Sequence, residues 1–166
     1  MRVLGSLVVP NSSAPRITTT VTGGSDEILA LPAPGQRTFT LDELRSLEDR
    51  QKWEAGEAYV QELYGSTGQR HYPVPGTDGR FVDAPVDLSN GGVLANEVKT
   101  YQRTVSSGGL NEVPLNNKIY QQIEKDLYLR DTVPGYDPRW NFLEAPPSQD
   151  LSRILELNKI IHVTYE

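Results

Sequence analysis

The chain has 166 residues, 37% of them hydrophobic, with 14 Gly and 12 Pro. This is enough apolar material for one modest domain threaded by many loops. No apolar run approaches the roughly 18–20 residues of a membrane span. The absence of cysteine removes disulfides, thiolate nucleophiles and Cys-based zinc sites, and His71 and His162 lie too far apart for an HExxH-type zinc hydrolase. The net charge of −6 argues against a protein that coats nucleic acid, although residues 66–140 are near balance, with eight Lys/Arg against nine acids.

Residues 1–38 (with NSSAPRITTTVTGG and LPAPGQ) read as a linker or poorly ordered leader, with ITTTV as a short strand. The initial MRVLGSLVVPNSS has one Arg and an apolar run too short for a signal peptide. The folded domain is expected over 39–166. Thr40 and Glu43 make a capping box ahead of one helix, LDELRSLEDRQKWEAGEAYVQELY, stopped by Gly65. Its apolar positions Leu44, Leu47, Trp53, Val60 and Leu63 recur at helical spacing. Glu57 falls on that face, four residues after Trp53 and three before Val60, where a carboxylate needs a partner.

Turn residues dominate 66–79, with one short strand around His71–Val74; His71 and Tyr72 are candidates for stacking on a base. RFVDAPVDLSNGGVLANEVKTY (80–101) then predicts a hairpin about Ser-Asn-Gly-Gly. A loop, QRTVSSGGLNEVP, leads to the helix NKIYQQIEKDLYLR, capped by Asn116 or Asn117 and carrying the stripe Ile119, Ile123, Leu127. On it Gln122 and Asp126 are i, i+4 neighbours able to face a cleft together and contact a phosphate. PGYDPR reads as a turn, WNFLEA as a strand with Trp140 in the core, and SQDLSRILELN as a helix capped by Ser148. IIHVTYE reads as a final strand with His162 structural. Helix, hairpin, helix, strand, helix, strand predicts an α/β fold whose central mixed sheet is flanked by helices, the last strands parallel through a helix.

The chemistry concentrates in the hairpin. Glu97 and Lys99 are two apart on a strand, so they share a face roughly 7 Å apart. If the loop centres on Asn90, paired positions sum to 180 and Asp83 lies opposite Glu97, with Cβ atoms about 4.5–5.5 Å apart. A two-residue Asn-Gly turn would put Asp83 opposite Val98 on the wrong face, so a three- or five-residue loop or a bulge is required. Val93, Leu94, Ala95 and Val98 predict a strand buried on both faces, where unpaired charge is costly. Two carboxylates and an amine so placed suit a divalent metal and a positioned water, hence phosphodiester cleavage. The competing readings are a same-face surface ion pair and a non-catalytic protein-binding module with an acidic hairpin.

The order Asp83-x13-Glu97-x-Lys99 on a hairpin, between WEAGEAYV and QQIEKD, resembles the PD-(D/E)xK, restriction-endonuclease-like nucleases. More narrowly it resembles nuclease domains of bacterial polymorphic and contact-dependent inhibition toxins. The resemblance covers roughly residues 40–166 and implies a restriction-endonuclease-like core of αβββαβ order. It further implies that Asp83 and Glu97 hold Mg²⁺ (or Mn²⁺ or Zn²⁺), Lys99 orients the attacking water, and Glu57 completes the site. Val82 stands where the family has Pro before the first acid, and Asp87 follows Pro85-Val86, so Asp87 is the second candidate for that ligand. The resemblance also implies DNA, or alternatively tRNA, as substrate, a cognate immunity protein as partner, and delivery from a larger secreted effector into a target cell's cytoplasm.

Overall fold

The computed structural model describes residues 17–20 and 39–165. Strand β1 (Ile17–Thr20) is the ITTTV strand; the rest of the 1–38 leader lies outside the described residues. The expected first helix is two: α1 (Leu41–Ser46), with the complete Thr40/Glu43 capping box, and α2 (Asp49–Tyr64). The break falls at Leu47 and Glu48, whose extended backbone ends one helix and caps the next. Gly65 closes α2 in the left-handed conformation at φ 69°, as its position after the last apolar residue predicted.

Two short strands follow, β2 (Arg70–Tyr72) and β3 (Arg80–Val82), paired with each other as a separate ribbon. The expected first hairpin strand is therefore split at Asp83, and only β4 (Ala84–Asp87) pairs with β5 (Val93–Tyr101). The register Ala84↔Asn96, Pro85↔Ala95, Val86↔Leu94, Asp87↔Val93 is the 180-sum register centred on Asn90. Its five-residue loop is closed by Leu88 N donating to Gly92 O at 2.8 Å.

Helix α3 (Asn117–Thr132) starts at Asn116, whose side chain accepts from Ile119 N. Strand β6 (Tyr136–Glu144) begins inside the stretch expected as a turn. Tyr136–Arg139 run parallel to Val93–Asn96, and Pro138 is accommodated opposite Ala95. Helix α4 (Gln149–Leu157), capped by Ser148, returns the chain to β7 (Ile161–Tyr165), parallel to β6. The five-stranded sheet has the order β1-β7-β6-β5-β4, with antiparallel edges on a parallel centre. The fold is α/β with a mixed sheet flanked by helices.

The alternation of β5 and β6 divides the core. Val98, Leu143, Val163 and Tyr165 pack with Leu44, Tyr59, Val60 and Leu63 of α1 and α2. Trp140 and Phe142 point the other way, onto Ile119 and Ile123 of α3 and Leu151 and Leu155 of α4. Each such large apolar side chain, fully buried, contributes about 1.5–3 kcal/mol. Residues 93–98 of β5 are all buried, the two-sided burial its apolar flanks predicted. Gly56 lets α2 lie directly on β5, since a Cβ there would collide with the Thr100 side chain. That crossing fixes Trp53, one turn earlier, beside the C-terminal end of β5. Trp53, expected on the apolar face, is 55% exposed.

Candidate functional site

Glu97 lies at the centre of the molecule, 2% exposed, on the α3-facing side of β5. Both carboxylate oxygens are occupied. Oε2 accepts from the Arg80 guanidinium at 2.8 Å and Oε1 accepts from Lys99 Nζ. Burial acts to raise its pKa, but Arg80 and Lys99 outweigh it and hold the group at about 2. Glu97 is thus an anion at any ordinary pH.

Arg80, the first residue of β3, is 3% exposed and forks between two acids. It donates to Asp126 through Nε at 2.7 Å and through a terminal nitrogen at 3.1 Å, besides its contact with Glu97. Burial disfavours its charge, but Glu97 and Asp126 overcome this and raise its pKa well above the usual value. Asp126 also accepts from the Tyr136 hydroxyl and the Trp140 indole, each at 3.0 Å. Expected to face a cleft with Gln122, Asp126 is instead 0% exposed and saturated by donors. The helical spacing is right, but the Arg80, Tyr136 and Trp140 donors enclose its face of α3. Gln122, one turn earlier, does reach the site, accepting from Lys99 Nζ at 2.9 Å. Lys99 also sits 5.2 Å from the Trp140 ring centroid, a cation–π contact.

The other side of Glu97 is under-compensated. Asp83 occupies the bend between β3 and β4, where no strand pairing fixes it. Its Oδ2 accepts from Val98 N at 2.9 Å, and its Oδ1 has only a long contact with Gln69 Nε2 at 3.5 Å. Burial first, then repulsion by Glu97 and Glu57, pushes its pKa up to about 8; the Val98 bond and Lys99 only partly oppose this. Glu57 on α2 is half-buried and has no hydrogen bond or ion pair among the described residues. Its pKa is raised by burial and then by Glu97, with Lys99 opposing. Asp83, Glu57, Glu97 and Lys99 therefore share one electrostatic neighbourhood. Asp87 does not belong to it: exposed at the turn end of β4, it forms a bidentate pair with Arg70 at 2.7 and 2.9 Å. His71 stacks on Phe81 at 4.5 Å in the β2–β3 ribbon, Trp140 is core, and His162 is buried.

Whether these residues suit a hard divalent cation depends on free oxygens. Among the described residues no group of three or more His, Asp or Glu forms a ready metal cage, and Glu97 is committed to its two cations. Asp83 and Glu57, both raised by burial and then by repulsion from Glu97, retain unspent oxygens whose charge a cation would compensate. Magnesium needs only one or two carboxylates when waters or substrate phosphates complete its shell, so the donor set fits in that form.

Sequence reasoning missed Arg80 and Tyr136, which hold the acids in place. The available signal was Arg80 at alternate spacing to Val82 on a strand with a buried face. An arginine there must be paired. The site opens on a groove of about 450 Å³ at the C-terminal end of β5, between α2 and α3, lined by Trp53, Lys99, Tyr101 and Lys118 among others. Parallel sheets characteristically place ligands at this end. No helix among the described residues is long and apolar enough to cross a membrane. In comparisons with known proteins, no family, no characterised relative and no solved structure matches the chain.

Proposed function

We propose that the protein is a metal-dependent nuclease with a restriction-endonuclease-like core, acting as the toxin domain of an interbacterial effector restrained by an immunity protein. The observation that carries this reading is the shared electrostatic neighbourhood of Asp83, Glu97, Lys99 and, from α2, Glu57, with Lys99 reaching the groove at the C-terminal end of β5. Asp83 is held up to about 8, the behaviour of a carboxyl whose charge awaits compensation. Asp83 and Glu57 would hold the ion, and Glu97, fixed by Arg80, would orient Lys99.

A divalent cation, when bound, supplies charge neutralisation at a scissile phosphate and acidifies water. Lys99, gripped by Glu97 and Gln122, presents its ammonium in a fixed direction for a phosphate oxygen or the attacking water. Glu97 and Gln122 together hold that ammonium beside the groove. DNA is favoured over tRNA by the family resemblance.

The test is cleavage of plasmid DNA, single-stranded DNA and, in parallel, total tRNA with Mg²⁺, Mn²⁺ or EDTA, beside Glu97→Gln and Lys99→Ala. Metal-dependent cleavage lost by about 10²-fold or more in both variants is expected. Intact nucleic acid in every arm, with the protein folded, overturns the reading. A second reading then takes its place: a non-catalytic binding module in which the network is a buried ionic core. The observation in its favour is that both Glu97 oxygens are already neutralised.

A further inference from the structure

The groove beside Lys99 has a composition unlike the chain as a whole. The protein carries net charge −6, yet no acidic side chain lines this groove, whereas Lys99 and Lys118 do. Lys99 is neutralised by Glu97, but Lys118 has no ion-pair partner among the described residues. Its volume of about 450 Å³ falls in the range that accepts one small ligand or nucleotide-sized unit.

Over this cavity stands Trp53, the most exposed large aromatic of the described residues at 55%. Exposing an indole forfeits burial energy, and here the exposure is imposed by the backbone. Gly56 brings α2 onto Thr100, holding the helix against β5 and Trp53 at the rim. The amide-bearing Asn111 and Gln122 line the same cavity and supply hydrogen-bonding edges. Asn111 is itself tied down by donating to Gln102 O at 2.9 Å, which fixes its direction.

We propose that this groove binds an unpaired nucleotide, its base stacked on Trp53 and its phosphate contacted by Lys118, with the adjoining phosphodiester brought to Lys99. The substrate class is then single-stranded or locally unpaired nucleic acid rather than intact duplex. An aromatic platform needs an exposed base face, which a paired, stacked base does not offer. The identity of Lys99 as the reacting end rests on the nuclease reading; the binding of an unpaired base does not.

The experiment is equilibrium binding in EDTA, where no metal-dependent cleavage occurs. Fluorescein-labelled oligo-dT and oligo-U are compared with a blunt DNA duplex, for wild type, Trp53→Ala, Trp53→Phe and Lys118→Ala. Single strands are expected to bind more tightly than duplex and to quench tryptophan fluorescence. Trp53→Ala should weaken binding roughly 5- to 150-fold, the effect of losing one stacked base, and Trp53→Phe should retain most of it. Lys118→Ala should lower the slope of log K against log salt by about 0.7, as expected for one lost phosphate contact on a single strand.

Equal binding by wild type and Trp53→Ala, or preference for duplex, overturns the proposal. Each protein's fold is checked by thermal unfolding; Trp53 is exposed, so its truncation leaves the core intact. The two readings fail separately. Base-stacked binding with no cleavage in Mg²⁺ removes the nuclease and leaves this groove. Cleavage that Trp53→Ala does not alter removes the groove and leaves the nuclease.

Discussion

The two sides of Glu97 make opposite uses of buried charge. Toward α3, Arg80, Glu97, Asp126 and Lys99 form a network in which every carboxylate oxygen has a donor and the charges cancel. Toward α2, Asp83 and Glu57 are buried or half-buried with little compensation, and both are raised for that reason. The same strand pair thus carries a finished structural network and, next to it, an unfinished one. The difference teaches that a buried acid by itself is not a functional signal. What distinguishes the candidate site is the missing counter-charge, not the number of carboxylates.

The comparison can be broken most forcefully on its closed side. Arg80→Met should destabilise the protein by about 3–5 kcal/mol, because it strands Glu97 and Asp126 as uncompensated buried anions. Urea unfolding followed by circular dichroism would show a lower midpoint at unchanged m. A loss under about 1 kcal/mol would mean that the network is open to water and that the contrast between the two sides is false.

On the open side the sign reverses. Asp83 has its folded pKa raised to about 8 from an ordinary value of 3.8. Between these values the native state holds a proton that the unfolded chain has released, so stability falls as pH rises through the window. Asp83→Asn keeps an acceptor for Val98 N and removes the titration. Relative to wild type it should gain about 3–4 kcal/mol in stability between pH 5 and pH 8. Parallel pH–stability curves for the two proteins would show that Asp83 titrates normally.

The smallest effect sharpens the comparison. If Asp83 and Glu57 await a cation, Mg²⁺ should stabilise the wild type by about 1.4 kcal/mol at roughly tenfold excess over its dissociation constant. Binding must displace the Asp83 proton, so affinity should rise with pH up to about 8. Differential scanning fluorimetry of wild type and Asp83→Asn with Mg²⁺ would read both. A thermal shift that persists in Asp83→Asn would put the ion elsewhere.

Elements specified by local chemistry were legible from the residues. The Thr40/Glu43 box, the Gly65 stop, the Ser148 cap and a cap at Asn116 or Asn117, of which Asn116 is used, all follow from neighbours within a few positions, and the parallel β6–α4–β7 unit follows from the strand–helix–strand order. The 180-sum register was legible only on the condition of a three- or five-residue loop about Asn90, and the loop has five residues. The break at Leu47–Glu48, the diversion of Arg80–Val82 into a ribbon with β2, and the entry of Tyr136–Arg139 into β6 were not. In the last two cases a distant strand partner overrides a weak local preference.

The sequence by itself determined the α/β class, the pairing of β4 with β5 and the sharing of one face by Glu97 and Lys99. These depend on side-chain period, capping and turn length, which act over a few residues. Only the tertiary structure decided that Arg80 and Asp126 complete the Glu97 network, that Asp87 pairs with Arg70, that Asp83 is the acid left uncompensated, and that Trp53 faces a groove. Those outcomes depend on which groups reach one another after distant chain segments have packed, Arg80 and Asp126 being 46 residues apart. They also depend on the removal of water that turns a nearby charge into a large energy.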